Sequence, residues 1–235
     1  MWDLWIHNWP SLLLTALGAY LLGSMNWAII LTRLFKKSDI RQVGSGNAGA
    51  TNVLRSQGPV LAVMTLVGDV GKGVLATLLG GWLITAMSTT PQADAAVLTL
   101  AGRYTAGLFV VLGHMYPVFH KFRGGKGVAT CAGLIFVLDW RAGIVCLSVF
   151  ILIVLLSRMV SLGSVIAVSL SPFVTFAARR WLDGYDMDVS VFCTCMLVPV
   201  VLIVVAKHGA NMRRIAAGTE SRIGETVKQD TTEEQ

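Results

Sequence analysis

Long apolar runs separated by polar islands limit the fold of this chain more than any other feature. The runs extend over about Ser11 to Leu34, Val60 to Met87, Val97 to Phe119, Val128 to Leu138, Ala142 to Leu156, Val160 to Ala178 and Val189 to Ala206. A helix rises about 1.5 Å per residue and a hydrocarbon core is about 30 Å thick, so roughly 20 apolar residues cross it once. Val128 to Leu138 is only half that length. In lipid every backbone N–H and C=O must be paired within the protein, which leaves helices as the form open to such runs. The chain is 54% apolar and 14% charged, against ~45–50% and ~25% in a soluble domain, so the surplus apolar surface must face lipid. The expected fold is all-α, a polytopic integral membrane bundle of about seven transmembrane helices.

Charge orients the bundle. The net charge is +6, and in a membrane protein such an excess marks cytoplasmic loops, so no nucleic-acid partner is inferred. One set of loops carries Arg33, Lys36, Lys37, Arg41, Arg55, Lys121, Arg123, Lys126, Arg158, Lys207, Arg213, Arg214, Arg222 and Lys228. The other carries Arg141, Arg179 and Arg180. With seven crossings the N-terminus lies outside and the C-terminus in the cytoplasm. Residues 1–223 are then one transmembrane domain, and 224–235 a disordered cytoplasmic tail. Trp2, Trp5 and Trp9 read as an interfacial aromatic belt, and the start lacks the basic region of a signal peptide. Cys131, Cys146, Cys193 and Cys195 lie in apolar runs and read as small buried hydrophobes. No group of residues has metal-site spacing, and no metal or other cofactor is expected.

Three polar islands interrupt the runs: Gly44 to Arg55 (GSGNAGATNVLR), Gly113 to Thr130 (GHMYPVFHKFRGGKGVAT) and Lys207 to Glu220 (KHGANMRRIAAGTE). In the first, Gly44, Gly46 and Gly49 let the backbone turn, and Ser45, Asn47, Thr51 and Asn52 supply hydroxyl and amide groups. Arg55 adds a forked cation, and freed N–H groups beside a guanidinium suit a phosphate. A plain glycine-rich loop is the alternative for one island alone. Under seven crossings, however, all three islands fall on the cytoplasmic side. In the second, Arg123, Gly124, Gly125, Lys126 and Gly127 have the composition of an anion cradle but lack the Walker A spacing and its Ser/Thr, which excludes nucleotide hydrolysis. Gly71-Lys72-Gly73-Val74 echoes Gly125-Lys126-Gly127-Val128, and both are expected to begin helices. In the third, His208 and Asn211 project from one helical face. Spacing leaves His208 open as a proton acceptor, a substrate orienter or a cap on helix-end carbonyls. Glu220 lies near Arg213, Arg214 and Arg222 and reads as an ion-pair partner. Asp69 and Lys72 have pairing spacing within the second run. His114 is placed to orient the loop at Tyr116-Pro117, while His7 and His120 join no constellation.

Together the motif Gly44 to Arg55, the RGGKGVAT of Arg123 to Thr130, and His208-x-x-Asn211 through Gly218-Thr219-Glu220 resemble the three motifs of the bacterial acyl-phosphate-dependent glycerol-3-phosphate acyltransferases. The resemblance covers nearly the whole chain, in order. It implies transfer of an acyl chain from acyl phosphate to the sn-1 hydroxyl of glycerol 3-phosphate, giving lysophosphatidic acid and phosphate, the first committed step of phospholipid synthesis. It implies a bacterial inner-membrane location, an active site facing the cytoplasm, membrane lipid as surroundings and no obligate protein partner. By position it marks Ser45, Arg55, Lys126, His208 and Asn211 as active-site residues. It marks Arg123, Gly124, Gly125 and Gly127 as a glycerol-phosphate cradle and Glu220 as structural. No aspartate stands five residues after any histidine, so the His-x4-Asp motif of other glycerolipid acyltransferases is absent, as the resemblance implies. Met212 stands where the family usually has isoleucine.

The residues suit that chemistry. Two phosphate-bearing substrates need two oxyanion sites, and an acyl phosphate already has a good leaving group. Positioning and charge stabilisation then supply most of the acceleration. A transporter of an anionic phosphorylated metabolite is the rival reading, but its polar site belongs near the bilayer midplane and these islands lie on one face.

Overall fold

The computed structural model describes residues 7–88 and 94–224, among which there are ten α-helices and no strand. Trp2, Trp5 and the tail beyond Gly224 lie outside the described residues, while Trp9 is exposed at the start of the first helix. Helices α1 (Trp9–Gly23) and α2 (Trp27–Lys36) share the first apolar run. They are followed by α3 (Ala50–Gln57), α4 (Pro59–Met87), α5 (Ala95–Met115), α6 (Val128–Leu138), α7 (Trp140–Ser157), α8 (Val160–Ala177), α9 (Met187–Lys207) and α10 (Gly209–Ala216). Among the described residues six segments are long and apolar enough to cross a membrane, and α6 is a shorter apolar helix. The all-helical integral membrane architecture is as the runs require.

The first span, expected from Ser11 to Leu34, runs from Trp9 to Lys36 and carries a break between α1 and α2 that the run does not show. Asn26 caps α2, its side-chain oxygen accepting from Ile29 N–H at 3.1 Å. Chain separation there releases the Gly23 and Met25 carbonyls, and Lys72 Nζ on α4 donates to them at 3.0 and 2.9 Å. A buried ammonium thus replaces the helical N–H groups that lipid cannot supply.

Helices α4 and α5 form the centre. Gly80 and Gly102 face each other there, so near that a Cβ on Gly102 would overlap the Gly80 carbonyl; small residues allow this close helix packing. α1, α6 and α9 pack around α5, with Tyr104, Val110, Val111, Leu134 and Phe192 in the core. α7 lies outermost, and its Leu155 and Leu156 are exposed, as suits a lipid-facing surface. Cys131, Cys146 and Cys193 are buried, but Cys195 is exposed, against expectation. Two residues apart on a helix point to nearly opposite sides, so Cys193 and Cys195 cannot both face the core.

The echo between the two Gly-Lys-Gly sequences also fails in part. Gly127 has φ +82° and precedes α6, but Gly71 to Gly73 lie within α4. Lys72 is turned into the bundle and Lys126 towards its end.

The charged loops separate as the cation count anticipates. At one end Arg41 reaches the carbonyls of His120 and Arg123, Arg55 reaches that of Ser221, and Ile223 N–H donates to Arg158 O. At the other, Arg141 and Arg179 meet at Asp183.

Candidate active site

The first island is half turn and half helix. Gly44 (φ +60°) and Gly46 (φ +70°) adopt the left-handed conformation that favours glycine. Asn52 is buried on α3 and organises the turn. Its Oδ1 accepts from Ser45 N–H at 3.0 Å, and its Nδ2 donates to the Ile40 and Val43 carbonyls at 3.2 and 2.9 Å. Its side chain is therefore spent within the protein, so the expectation that it faces substrate is corrected to one of holding the loop. Ser45 stays exposed, Asn47 and Thr51 are half-buried, and Gly49 begins α3.

Asp39 and Arg41 tie this loop to the second island. Asp39 accepts from Arg41 at 2.6 Å and from Arg33 at 2.8 Å. The Arg41 guanidinium, above all, holds the Asp39 carboxyl well below the usual carboxylate range. Arg41 in turn donates to His120 O at 2.8 Å.

In the second island, Gly124 N–H donates to Met115 O and Gly125 N–H to His114 O, each at 3.2 Å. These bonds satisfy carbonyls at the end of α5, so neither N–H is available to an anion, and that part of the expected cradle is corrected. What Gly125 contributes is closeness: a Cβ there would overlap both the His114 ring and the Ala48 carbonyl of the first island. The N–H groups of Lys126 and Gly127 have no protein acceptor among the described residues. Arg123 is exposed beside them.

Lys126 joins the second island to the third. Its Nζ donates to Asn211 Oδ1 at 2.5 Å, and Asn211 Nδ2 donates to Glu220 Oε1 at 2.6 Å. Glu220 also accepts from Ser161 Oγ at 2.6 Å and Arg214 Nε at 2.8 Å. Of the three arginines near it in sequence, Arg214 is thus an ion-pair partner of Glu220. These hydrogen bonds hold the Glu220 carboxyl below its usual range despite burial. Burial, reinforced by Arg214 and Arg55 and opposed by Glu220, pushes Lys126 down to about 8. An ammonium has three donor hydrogens, and the Asn211 bond uses one.

His208 sits between α9 and α10, buried. Its Nδ1 lies 2.8 Å from Val204 O. A carbonyl only accepts, so Nδ1 carries the hydrogen and Nε2 is left as the acceptor of a neutral ring. Burial, opposed by the Val204 bond, lowers the pKa and keeps the ring neutral. The capping reading is met at one nitrogen, and the other has no hydrogen-bond partner among the described residues.

Lys126, Asn211 and Glu220 are thus in contact, with His208 a helical turn before Asn211. Arg55 reaches the same end through Ser221 O at 3.2 Å. No hydrogen bond among the described residues joins Ser45 to Lys126, His208 or Arg55.

Three features escaped the sequence. His114 is buried beside the expected Asp69–Lys72 pair. Lys72 Nζ lies 2.9 Å from both Asp69 Oδ1 and His114 Nδ1, and Asp69 Oδ1 is 3.4 Å from that nitrogen. No spacing rule links residues so far apart. Ser161 enters through a serine at the start of α8 that has no motif around it. Lys207 lies 3.9 Å from the centre of the Tyr116 ring; Tyr116 in turn borders an apolar groove of about 350 Å³ between α1 and α5.

Residues 13–218 match the family described as glycerol-3-phosphate acyltransferase. The chain is 39% identical over 215 residues to a glycerol-3-phosphate acyltransferase of Ralstonia pickettii, covering 91% of this chain and 94% of that one. It is 38% identical to that of Thermoanaerobacter pseudethanolicus, covering 92% and 97%. Crystal structures of PlsY (YgiH), an integral membrane glycerol 3-phosphate acyltransferase, superpose on 91% of this chain and 96% of theirs. The glycerol 3-phosphate form does so with a TM-score of 0.76 at 34% identity, and the lysophosphatidic acid form with 0.74 at 33%. A match to one family over residues 13–218, with relatives 38% and 39% identical over more than nine-tenths of the chain, means that this chain belongs to the glycerol-3-phosphate acyltransferase family.

Proposed function

We propose that the protein transfers an acyl chain from acyl phosphate to the sn-1 hydroxyl of glycerol 3-phosphate, yielding 1-acylglycerol 3-phosphate and inorganic phosphate. The observation that carries this reading is the contact of Lys126, Asn211 and Glu220, with Arg55 and Arg214 beside it. These cations from three distant islands suit two phosphate groups at one end of the bundle. The family supports glycerol 3-phosphate as the acceptor. Lys126 and the free N–H groups at Lys126 and Gly127 hold the phosphate of one substrate, and Arg55 with Ser45 that of the other. Asn211 aims the Lys126 ammonium, and Glu220 aims Asn211. His208 Nε2 accepts a hydrogen bond from the attacking hydroxyl, leaving its proton to pass to the ring or to a phosphate oxygen. The hydroxyl attacks the acyl carbon, the carbon–oxygen bond to phosphate breaks, and phosphate leaves with its electron pair. With so good a leaving group the transfer is direct and requires no covalent acyl-serine at Ser45.

The apolar groove between α1 and α5 is assigned to the acyl chain. The chain crosses the bacterial inner membrane seven times, α6 being the short crossing, with the islands and the C-terminus cytoplasmic and the N-terminus outside. The deciding assay is purified full-length protein in detergent with acyl phosphate and glycerol 3-phosphate, free of acyl-CoA, acyl carrier protein and divalent metal. Lysophosphatidic acid should form with stoichiometric phosphate. Product formed only with acyl-CoA would reject the donor, and product formed only after magnesium is added would reject a metal-free site.

A further inference from the structure

The end of the bundle opposite the glycine-rich loops carries a notch of about 440 Å³. Helix length creates it. α6 begins level with the last turn of α5, where Gly125 N–H meets His114 O. Its 11 residues against the 21 of α5 leave the α6–α7 turn about 15 Å short of the far end of α5. Asp139 and Arg141 form the floor of the recess, with Arg103 of α5 on one wall and Arg179 and Asp183 on another.

The charges there do not balance. Arg141 pairs with Asp139 at 2.8 Å and with Asp183 at 2.7 Å, and Arg179 pairs with Asp183 at 2.8 Å. Both carboxylates are thereby committed. Arg103 has no acceptor among the described residues, and its Nε is buried and unpartnered. The Nε of Arg179, a residue only 8% exposed, is likewise unpartnered. Arg103 is also fitted into place: its stem lies over Gly81 of α4, where a Cβ would stand 2.9 Å from its Cγ. An unpaired arginine within a membrane-spanning helix is costly unless an anion meets it. Phe136, Val137, Leu138 and Tyr185 complete the lining, the Tyr185 ring 5.8 Å from the Arg179 guanidinium, and Trp140 is exposed at the edge. The polar lining suits a phosphate, and Phe136, Val137 and the exposed Trp140 beside it give a lipid's chains a surface that a free anion does not use.

We propose that this notch is a binding site for a membrane phospholipid, its phosphate held by Arg103 beside Arg179 and its tails against Phe136, Val137 and Trp140. The site stands apart from the acyl-transfer end, at the other terminus of α6.

Native mass spectrometry of the full-length protein in detergent tests it, with phosphatidylglycerol and a diacylglycerol of the same chains as probes. Wild type should retain phosphatidylglycerol about tenfold better than diacylglycerol, the scale of one charge-assisted contact. Arg103→Gln should abolish that preference and Arg103→Lys should keep part of it, with acyltransferase turnover of both variants in lipid-free detergent reporting the fold. Equal retention of the two lipids by wild type overturns the proposal, whatever the variants do. So does a preference that survives Arg103→Gln. Displacement of the lipid by inorganic phosphate, with the phosphate itself then retained, makes the notch a free-anion site and also overturns it.

Discussion

At Lys126, burial and the proposed role pull in opposite directions. Burial favours the neutral amine and brings its pKa to about 8, whereas the phosphate recognition proposed for it needs the ammonium. The charged form is present below that value and is lost as pH rises through it. kcat/KM for glycerol 3-phosphate should therefore fall as pH is raised past about 8, with kcat at saturation less affected because bound phosphate raises the pKa again. Steady-state kinetics from pH 6 to 10 checks this, and a flat profile would remove Lys126 from phosphate binding. Lys126→Ala should lower kcat/KM ten- to a hundredfold, or about 1.5–3 kcal/mol. His208 bears the opposite kind of test. Its lowered pKa keeps the imidazole neutral at pH values where an ordinary histidine is charged, so the acid limb of kcat should lie below the usual imidazole range. His208→Ala should lower kcat far more than it raises KM. Rapid quenching with labelled acyl phosphate and no acceptor should trap no acyl-protein. Label on Ser45 would replace direct transfer with a two-step route.

At the scale of elements, the buried Asp69, Lys72 and His114 join three helices. Lys72 on α4 holds the break between α1 and α2, and His114 at the end of α5 backs the Gly125 backbone. Lys72→Met leaves Asp69 uncompensated and the Gly23 and Met25 carbonyls without a donor. It should destabilise the protein by about 3–5 kcal/mol, since one partner of a buried pair is removed. Asp69→Asn combined with Lys72→Met should recover part of that loss, measured by thermal unfolding in detergent. Simple additivity of the two changes would show that the pair is not coupled. Gly125→Ala places a methyl group where the His114 ring and the Ala48 carbonyl stand. It should cost about 1–3 kcal/mol of loop packing and reduce turnover while leaving the helical bundle folded, as circular dichroism would register.

At the scale of the molecule, the cation count and the contacts between loops agree on two ends. Single cysteines placed in a cysteine-free background at Asp188 and Lys37, both exposed, should react with an impermeant reagent from opposite sides of the inner membrane, Asp188 from outside. Labelling of both from one side would overturn seven crossings and with them the cytoplasmic site.

Apolar run length and the scarcity of backbone partners in lipid are properties of the chain itself, so helices α4 to α9 and the all-helical membrane class could be read from the residues. The three islands were legible for a related reason: glycines, amides and cations concentrate there because such backbone has no place in lipid unless something binds or buries it. The sequence did not reveal which polar atoms remain free. Asn52 and the Gly124 and Gly125 N–H groups look like substrate donors in one dimension, but the turn and the end of α5 consume them. His114 reads as an orienter of its own loop until helix packing sets it against a lysine 42 residues away. The break at Asn26 likewise depends on Lys72 arriving from another helix. Hydrogen-bond capacity is written in residue type, but its allocation depends on which groups meet across the bundle, and only the packed helices decide that.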